Sequence, residues 1–130
     1  SIYCGVVKLH RGNYEVCRNV INVQHMTRDG FLSFFKNVYG KELPKTIQRK
    51  IIGAETIRDR VLHGKDVKDP DMRKAICDVL DYAKEMNTFL DAEAGFMPFC
   101  GDLRGFKGRG KPLDKETTRW ILKGMGFDIK

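Results

Sequence analysis

The chain has 130 residues, 42% of them hydrophobic and 32% charged, a composition that suits one globular domain able to bury its own core and excludes a disordered or fibrous chain. No apolar run approaches the ~20 residues of a membrane-spanning helix, and no basic-then-apolar leader opens the sequence, so neither a membrane partner nor secretion is expected. The net charge of +7 is uneven: nine Lys and Arg against three Asp and Glu over residues 1–53, seven against ten over 54–100, and eight against four over 101–130. Basic ends around a mildly acidic centre suit a polyanionic partner.

In chain order, residues 2–26 read as helix in two pieces. Tyr3, Val6 and Val7, then Tyr14, Cys17, Val20 and Ile21, form helical stripes, with a break at Gly12 and Asn13. The β-branched residues leave a strand open at either piece. Thr27 to Gly30 is a turn in which Thr27 or Asp29 can cap the next helix. Phe31 to Tyr39 is apolar around most of its circumference, as in a short helix buried in a bundle or at a dimer face. Gly40 ends it.

Pro44 to His63 reads as a longer helix with Ile47, Ile51, Ile52, Ala54, Ile57, Val61 and Leu62 as its apolar positions. Gly53 inside it suggests a close helix crossing, since glycine there otherwise costs ~1 kcal/mol relative to alanine. Asp69-Pro70 is a cap followed by proline at the first helical position. The helix from Pro70 to Ala92 then carries a sustained stripe of Met72, Ala75, Ile76, Val79, Leu80, Ala83, Met86 and Leu90.

Residues 94–112 change character, with five glycines, two prolines and several basic residues. This is a flexible basic loop in which Arg104, Lys107, Arg109 and Lys111 can hold phosphates and Phe106 can stack on a base, or else a solvated surface loop. Gly105-x4-Gly110-Lys111 resembles the start of a phosphate-binding P-loop, but Pro112 stands where Ser or Thr is needed and no strand clearly precedes it. Nucleotide hydrolysis is not expected. Residues 114–123 read as a short C-terminal helix with Trp120, Ile121 and Leu122 as core anchors.

The four cysteines (Cys4, Cys17, Cys77 and Cys100) show no C-x2-C spacing, so no zinc site and no other cofactor is expected, and free thiols suit a reducing cytoplasm. Cys77, among Ala75, Ile76, Val79 and Leu80, reads as a small buried hydrophobe. His10 and His25 have no partner pattern and read as surface or boundary residues.

The third histidine is different. Glu55 to Gly64 looks like a helix end, with Ile57, Val61 and Leu62 on one face and Arg58, Asp59 and His63 on the other. Gly64 supplies the left-handed residue that commonly closes a helix. Asp59 and His63, four apart, lie about 40° apart around the axis and can touch; Arg58 reaches the same patch by its length. A histidine titrating near neutrality, a carboxylate to set its tautomer and a guanidinium fork for phosphate oxygens suit phosphate-ester chemistry. The plain alternative is a solvated surface pair.

Arg58-Asp59-x3-His63-Gly64 resembles the R-x4–6-H motif of the HEPN family, in which the residue after the arginine is typically Asn, Asp or His. The bounding features agree over roughly Leu43 to Asn87, about a third of the chain: an apolar-striped helix before the motif, Leu-His-Gly at its end, an acidic turn and another long helix. The resemblance implies an all-α, HEPN-like helical bundle, here a single domain over residues 1–130; the opening on Ser1 in place of Met leaves open that the chain is trimmed or cut from something longer. It implies a homodimer with two motifs facing one another in a composite site.

It further implies a metal-independent endoribonuclease of toxin, defence or RNA-processing role. The RNA's own 2′-hydroxyl attacks the adjacent phosphate to leave 2′,3′-cyclic phosphate and 5′-hydroxyl ends. His63 moves the proton, Arg58 stabilises the phosphoryl charge, and Asp59 orients His63 or helps to form the site; Arg60 and Lys65 beside them either hold flanking phosphates or are plain surface charge. Toxins of the family paired with nucleotidyltransferase antitoxins often carry a tyrosine two residues after the histidine. Lys65 stands there, so regulation by nucleotide transfer is not expected and an antitoxin of another kind stays open. Members that keep the fold without cleaving leave a second expectation, a non-catalytic module for RNA binding or protein interaction.

Overall fold

A computed structural model of the chain describes residues 1–100, 106–108 and 110–130. Among the described residues there are six helices and no strand, so the chain is all-α. None of these helices is long and apolar enough to cross a membrane. The helices sort into two compact units, residues 1–42 with 102–130, and residues 43–101.

In the first unit the break at Gly12 and Asn13 separates α1 (Ile2–His10) from α2 (Tyr14–Asn22), and both pieces are helical. Asn13 caps α2, its Oδ1 accepting from the Val16 amide at 3.3 Å. A Cβ at position 12 would lie 2.5 Å from Cys17 Sγ. The glycine is therefore used for close approach, and the left-handed turn falls instead on Arg11 (φ 55°), a conformation disfavoured for a non-glycine residue. Arg11 is held there by long-range bonds. Its guanidinium donates twice to the Lys111 carbonyl, at 2.9 and 2.7 Å, and its own carbonyl accepts from the Leu113 amide at 2.8 Å.

Helix α3 (Arg28–Tyr39) is capped by Thr27, whose Oγ1 accepts from the Gly30 amide at 3.1 Å, and is closed by Gly40 in the left-handed region. It is less buried than its composition suggests. Phe35 and Val38 are fully inside, whereas Phe31, Leu32 and Phe34 are half-buried, Phe34 stacking on Phe127 at 4.3 Å between ring centres. Helix α1 packs on α2 and α3, and α2 packs on α6 (Lys115–Gly124). Val6, Val7, Cys17, Phe35, Val38 and Leu122 form the core of this unit.

The expected anchor Trp120 is not in that core: it is 73% exposed. The reason is helical phase. Thr118 and Leu122 are the buried positions of α6, and at about 100° per residue Trp120 lies roughly 160° from both. Thr118 can be inside because its hydroxyl is satisfied twice, accepting from the Asn13 amide at 3.0 Å and donating to the Asp114 carbonyl at 2.9 Å.

The second unit is an antiparallel hairpin of α4 (Lys45–Leu62) and α5 (Asp69–Ala94). Lys50 of α4 pairs with Glu85 and, at 3.8 Å, with Asp81 of α5, which fixes the register near one end. Asp69 falls just inside α5, and Lys68 is the cap position. Gly53 marks no close crossing, since a Cβ there would meet only Asp78 Oδ2, at 3.9 Å.

Only Met86, Leu90 and Ala94 of α5 are buried, all in its C-terminal half. Further back the predicted stripe is real but uncovered: Met72, Ile76, Val79 and Leu80 are exposed. Cys77, expected to be buried with them, is exposed for the same reason. Sequence periodicity reports an apolar face; it does not report whether the same chain covers it.

Candidate functional site

The closing turn of α4 sets out the motif. Gly64 (φ 65°) donates to the Val61 carbonyl at 3.0 Å, and Lys65 donates to the Arg60 carbonyl at 2.9 Å. This paired arrangement is the one a left-handed glycine permits after a helix. It fixes His63 as the capping residue (φ −90°, ψ 14°), with its amide on the Asp59 carbonyl at 3.0 Å. Arg58, Asp59 and His63 all have exposed side chains.

Arg58 and Asp59 are brought together. The guanidinium donates from Nε and Nη2 to Asp59 Oδ1 at 3.1 and 2.8 Å. That hydrogen bond first, and the carboxylate charge second, push the Arg58 guanidinium further above its ordinary range. Among the described residues no hydrogen bond or ion pair joins the His63 side chain to Asp59. The backbone shows why i,i+4 spacing is not enough: His63 is where the helix stops, and the neighbouring guanidinium already takes the carboxylate. A phosphate reaching Arg58 would compete with Asp59 for the same donors.

The other expected RNA contacts divide between the units. Arg60 is drawn into the turn, its Nη2 donating to the Asp66 carbonyl at 3.0 Å, while Lys65 is exposed beside it. In the first unit Lys107 and Lys111 are exposed. Arg104 and Arg109 lie outside the described residues. Phe106 is half-buried, with Lys8 Nζ 6.0 Å from its ring centre. The early part of the Gly-rich segment is tied to α5: Asn87 Oδ1 accepts from the Phe99 amide at 2.8 Å, and the Phe99 ring meets Tyr82 edge-on at 5.9 Å.

What sequence reasoning missed is the apolar surface next to the motif. Val61 and Leu62 of α4 are exposed, Leu62 to 72%, as is the stripe of α5, in which Ile76 is 62% and Leu80 is 65% exposed. Met72, Ile76, Val79 and Leu80 fall within an arc of about 100° on α5. The signal is present in the sequence as an apolar stripe, which does not by itself tell a core face from an uncovered one. Among the described residues no group of His, Cys, Asp and Glu is placed to hold a metal ion. No family model, curated protein or solved structure matches the chain.

Proposed function

We propose that the chain is a metal-independent endoribonuclease of HEPN type, acting as a homodimer in which two copies of the Arg58–Asp59–His63 turn face one RNA strand. The observation that supports this reading is that Arg58, Asp59 and His63 are all exposed in the closing turn of one helix, beside the uncovered apolar residues Val61 and Leu62. Large apolar side chains clustered in water mark an interaction surface. A second copy docking through Ile76, Leu80 and Leu62 would cover them and bring the two motifs together.

In that site the RNA 2′-hydroxyl attacks the adjacent phosphorus as the bond to the 5′-oxygen breaks. His63 takes or returns the proton. Arg58 exchanges its Asp59 partner for the phosphoryl oxygens as their charge grows, and Asp59, released, is free to orient His63. Arg60 and Lys65 sit at the edge, where flanking phosphates would pass. The setting is that of a cytoplasmic toxin, defence or RNA-processing protein, with an antitoxin or other regulator as a partner.

One observation favours the alternative of a non-catalytic RNA-binding or protein-interaction module: in the single chain Arg58 is already engaged and His63 is not joined to Asp59. Cleavage of a mixed RNA pool by the wild-type chain, His63→Ala and Arg58→Lys decides between them. The enzyme reading expects both variants to remain folded and to lose cleavage by about 100-fold or more, on the order of the general acid–base contribution. Binding without cleavage by all three chains would establish the module instead.

A further inference from the structure

The net charge of the chain and its exposed tryptophan belong to the same unit. Residues 1–42 with 102–130 hold fourteen Lys and Arg against seven Asp and Glu, whereas residues 43–101 hold ten of each. The whole +7 therefore lies in the unit without the Arg58–His63 motif. Long-range attraction for a polyanion is concentrated there.

Helix α6 turns a specific group of side chains outward. With Thr118 and Leu122 buried, Arg119, Trp120 and Lys123 are all exposed. Lys123 is one turn from both Arg119 and Trp120, so the three are neighbours on the helix surface. Among the described residues no hydrogen bond or ion pair holds Arg119 or Lys123. Arg119 also borders an open cleft of about 550 Å³ along α2 and α6, together with His25, Lys115 and Lys130. The acidic groups of that cleft are Glu15, paired with Lys115 at 2.6 Å, and Asp128. An indole with most of its surface in water, flanked by cations that no hydrogen bond or ion pair holds, although Arg119 also acts on the Glu15 carboxylate across the cleft, has the make-up of a base-stacking platform between phosphate contacts.

We propose that the outward face of α6 binds single-stranded nucleic acid, with Trp120 stacked on a base and Arg119 and Lys123 on the adjoining phosphates. Glu116, one turn before Trp120 on the same face and exposed, steers the phosphates toward the Lys123 side. The platform needs no cleavage chemistry, so it stands or falls apart from the ribonuclease reading.

Trp120 is the single tryptophan of the chain, so its emission reports directly on stacking. The probe is a single-stranded RNA 12-mer of mixed sequence, titrated at low salt in EDTA into the full chain carrying His63→Ala. The expected result is saturable quenching of the emission. By anisotropy of the labelled RNA, Trp120→Ala should weaken binding about tenfold, within the range found for single stacking contacts. Trp120→Phe should recover part of that loss.

Arg119→Gln with Lys123→Gln should lower the slope of log affinity against log salt by about 1.4, the value for two phosphate contacts on a single strand. Glu116→Gln should tighten binding. An RNA complex that leaves the emission unchanged and is indifferent to Trp120→Ala overturns the proposal, as does the absence of RNA binding. Quenching by a chain whose wild-type form does not cleave RNA would remove the ribonuclease reading alone. Cleavage lost in His63→Ala beside a silent Trp120 would remove the platform alone.

Discussion

Two glycines in helix interiors give a matched test of the packing, because the same substitution should act with opposite signs. At Gly53 of α4 an added Cβ meets only Asp78 Oδ2, at 3.9 Å, so Gly53→Ala gains helix propensity without a clash. The expected stabilisation is about 1 kcal/mol. At Gly5 of α1 the Cβ would lie 2.6 Å from Tyr39 Cζ and Oη and 2.8 Å from Val38 Cγ1. Tyr39 cannot easily swing aside, because its hydroxyl donates to the Ser1 carbonyl at 2.7 Å and its ring packs on Phe35 at 4.4 Å between centres.

Overpacking of this kind costs about 1–3 kcal/mol against a propensity gain of ~1 kcal/mol, so Gly5→Ala should destabilise by up to about 2 kcal/mol. Urea unfolding followed by far-UV circular dichroism reads both. A loss of stability in Gly53→Ala, or a gain in Gly5→Ala, would refute the assignment of one glycine to an open helix face and the other to a tight contact.

Ile76→Glu should leave the chain folded, since the side chain is already in water, and if the proposed homodimer forms it should be lost in sedimentation equilibrium; a dimer that persists in the variant would contradict docking through this face. Thiol labelling at about pH 8 should modify Cys77 and Cys100 in the native chain and spare Cys4 and Cys17 until urea is added. Burial raises both of the latter, pushing the Cys17 thiol up to about 11, and equal labelling of all four would contradict that packing. Asp114 caps α6 by accepting from the Thr117 hydroxyl and amide, which hold its carboxyl below the ordinary 3.8. Its stabilising contribution is therefore complete above that value and lost as pH falls through the lowered one. The Thr117 amide shift should titrate with a midpoint under 3.8 in the wild-type chain and not at all in Asp114→Asn.

The helices were legible in the sequence because their boundaries rest on local chemistry: a break at Gly12 and Asn13, Thr27 as a cap, Gly40 and Gly64 as left-handed stops, Pro70 in a first turn. Burial was less legible. Trp120, Ile121 and Leu122 read together as core anchors, yet the phase set by Thr118 and Leu122 points Trp120 outward. Thr118 gave no sign of being the buried residue, because its two hydrogen-bond partners depend on the fold of Asn13 and Asp114. Cys77 and the stripe from Met72 to Leu80 have the pattern of a core face, and pattern alone does not say whose core. Around the motif, spacing correctly put Arg58, Asp59 and His63 on one helix end. It did not foresee that Asp59 would bond to its neighbour Arg58 while His63 closed the helix.

The central claim is the chemistry of the Arg58–His63 turn, and the most direct measurement is the identity of the ends it leaves. Wild-type chain incubated with RNA in EDTA should yield 2′,3′-cyclic phosphates and 5′-hydroxyls, detected as fragments that a 5′-kinase labels without prior dephosphorylation, and His63→Ala should yield none. Fragments carrying 5′-phosphates, or cyclic ends that persist in His63→Ala, would contradict it.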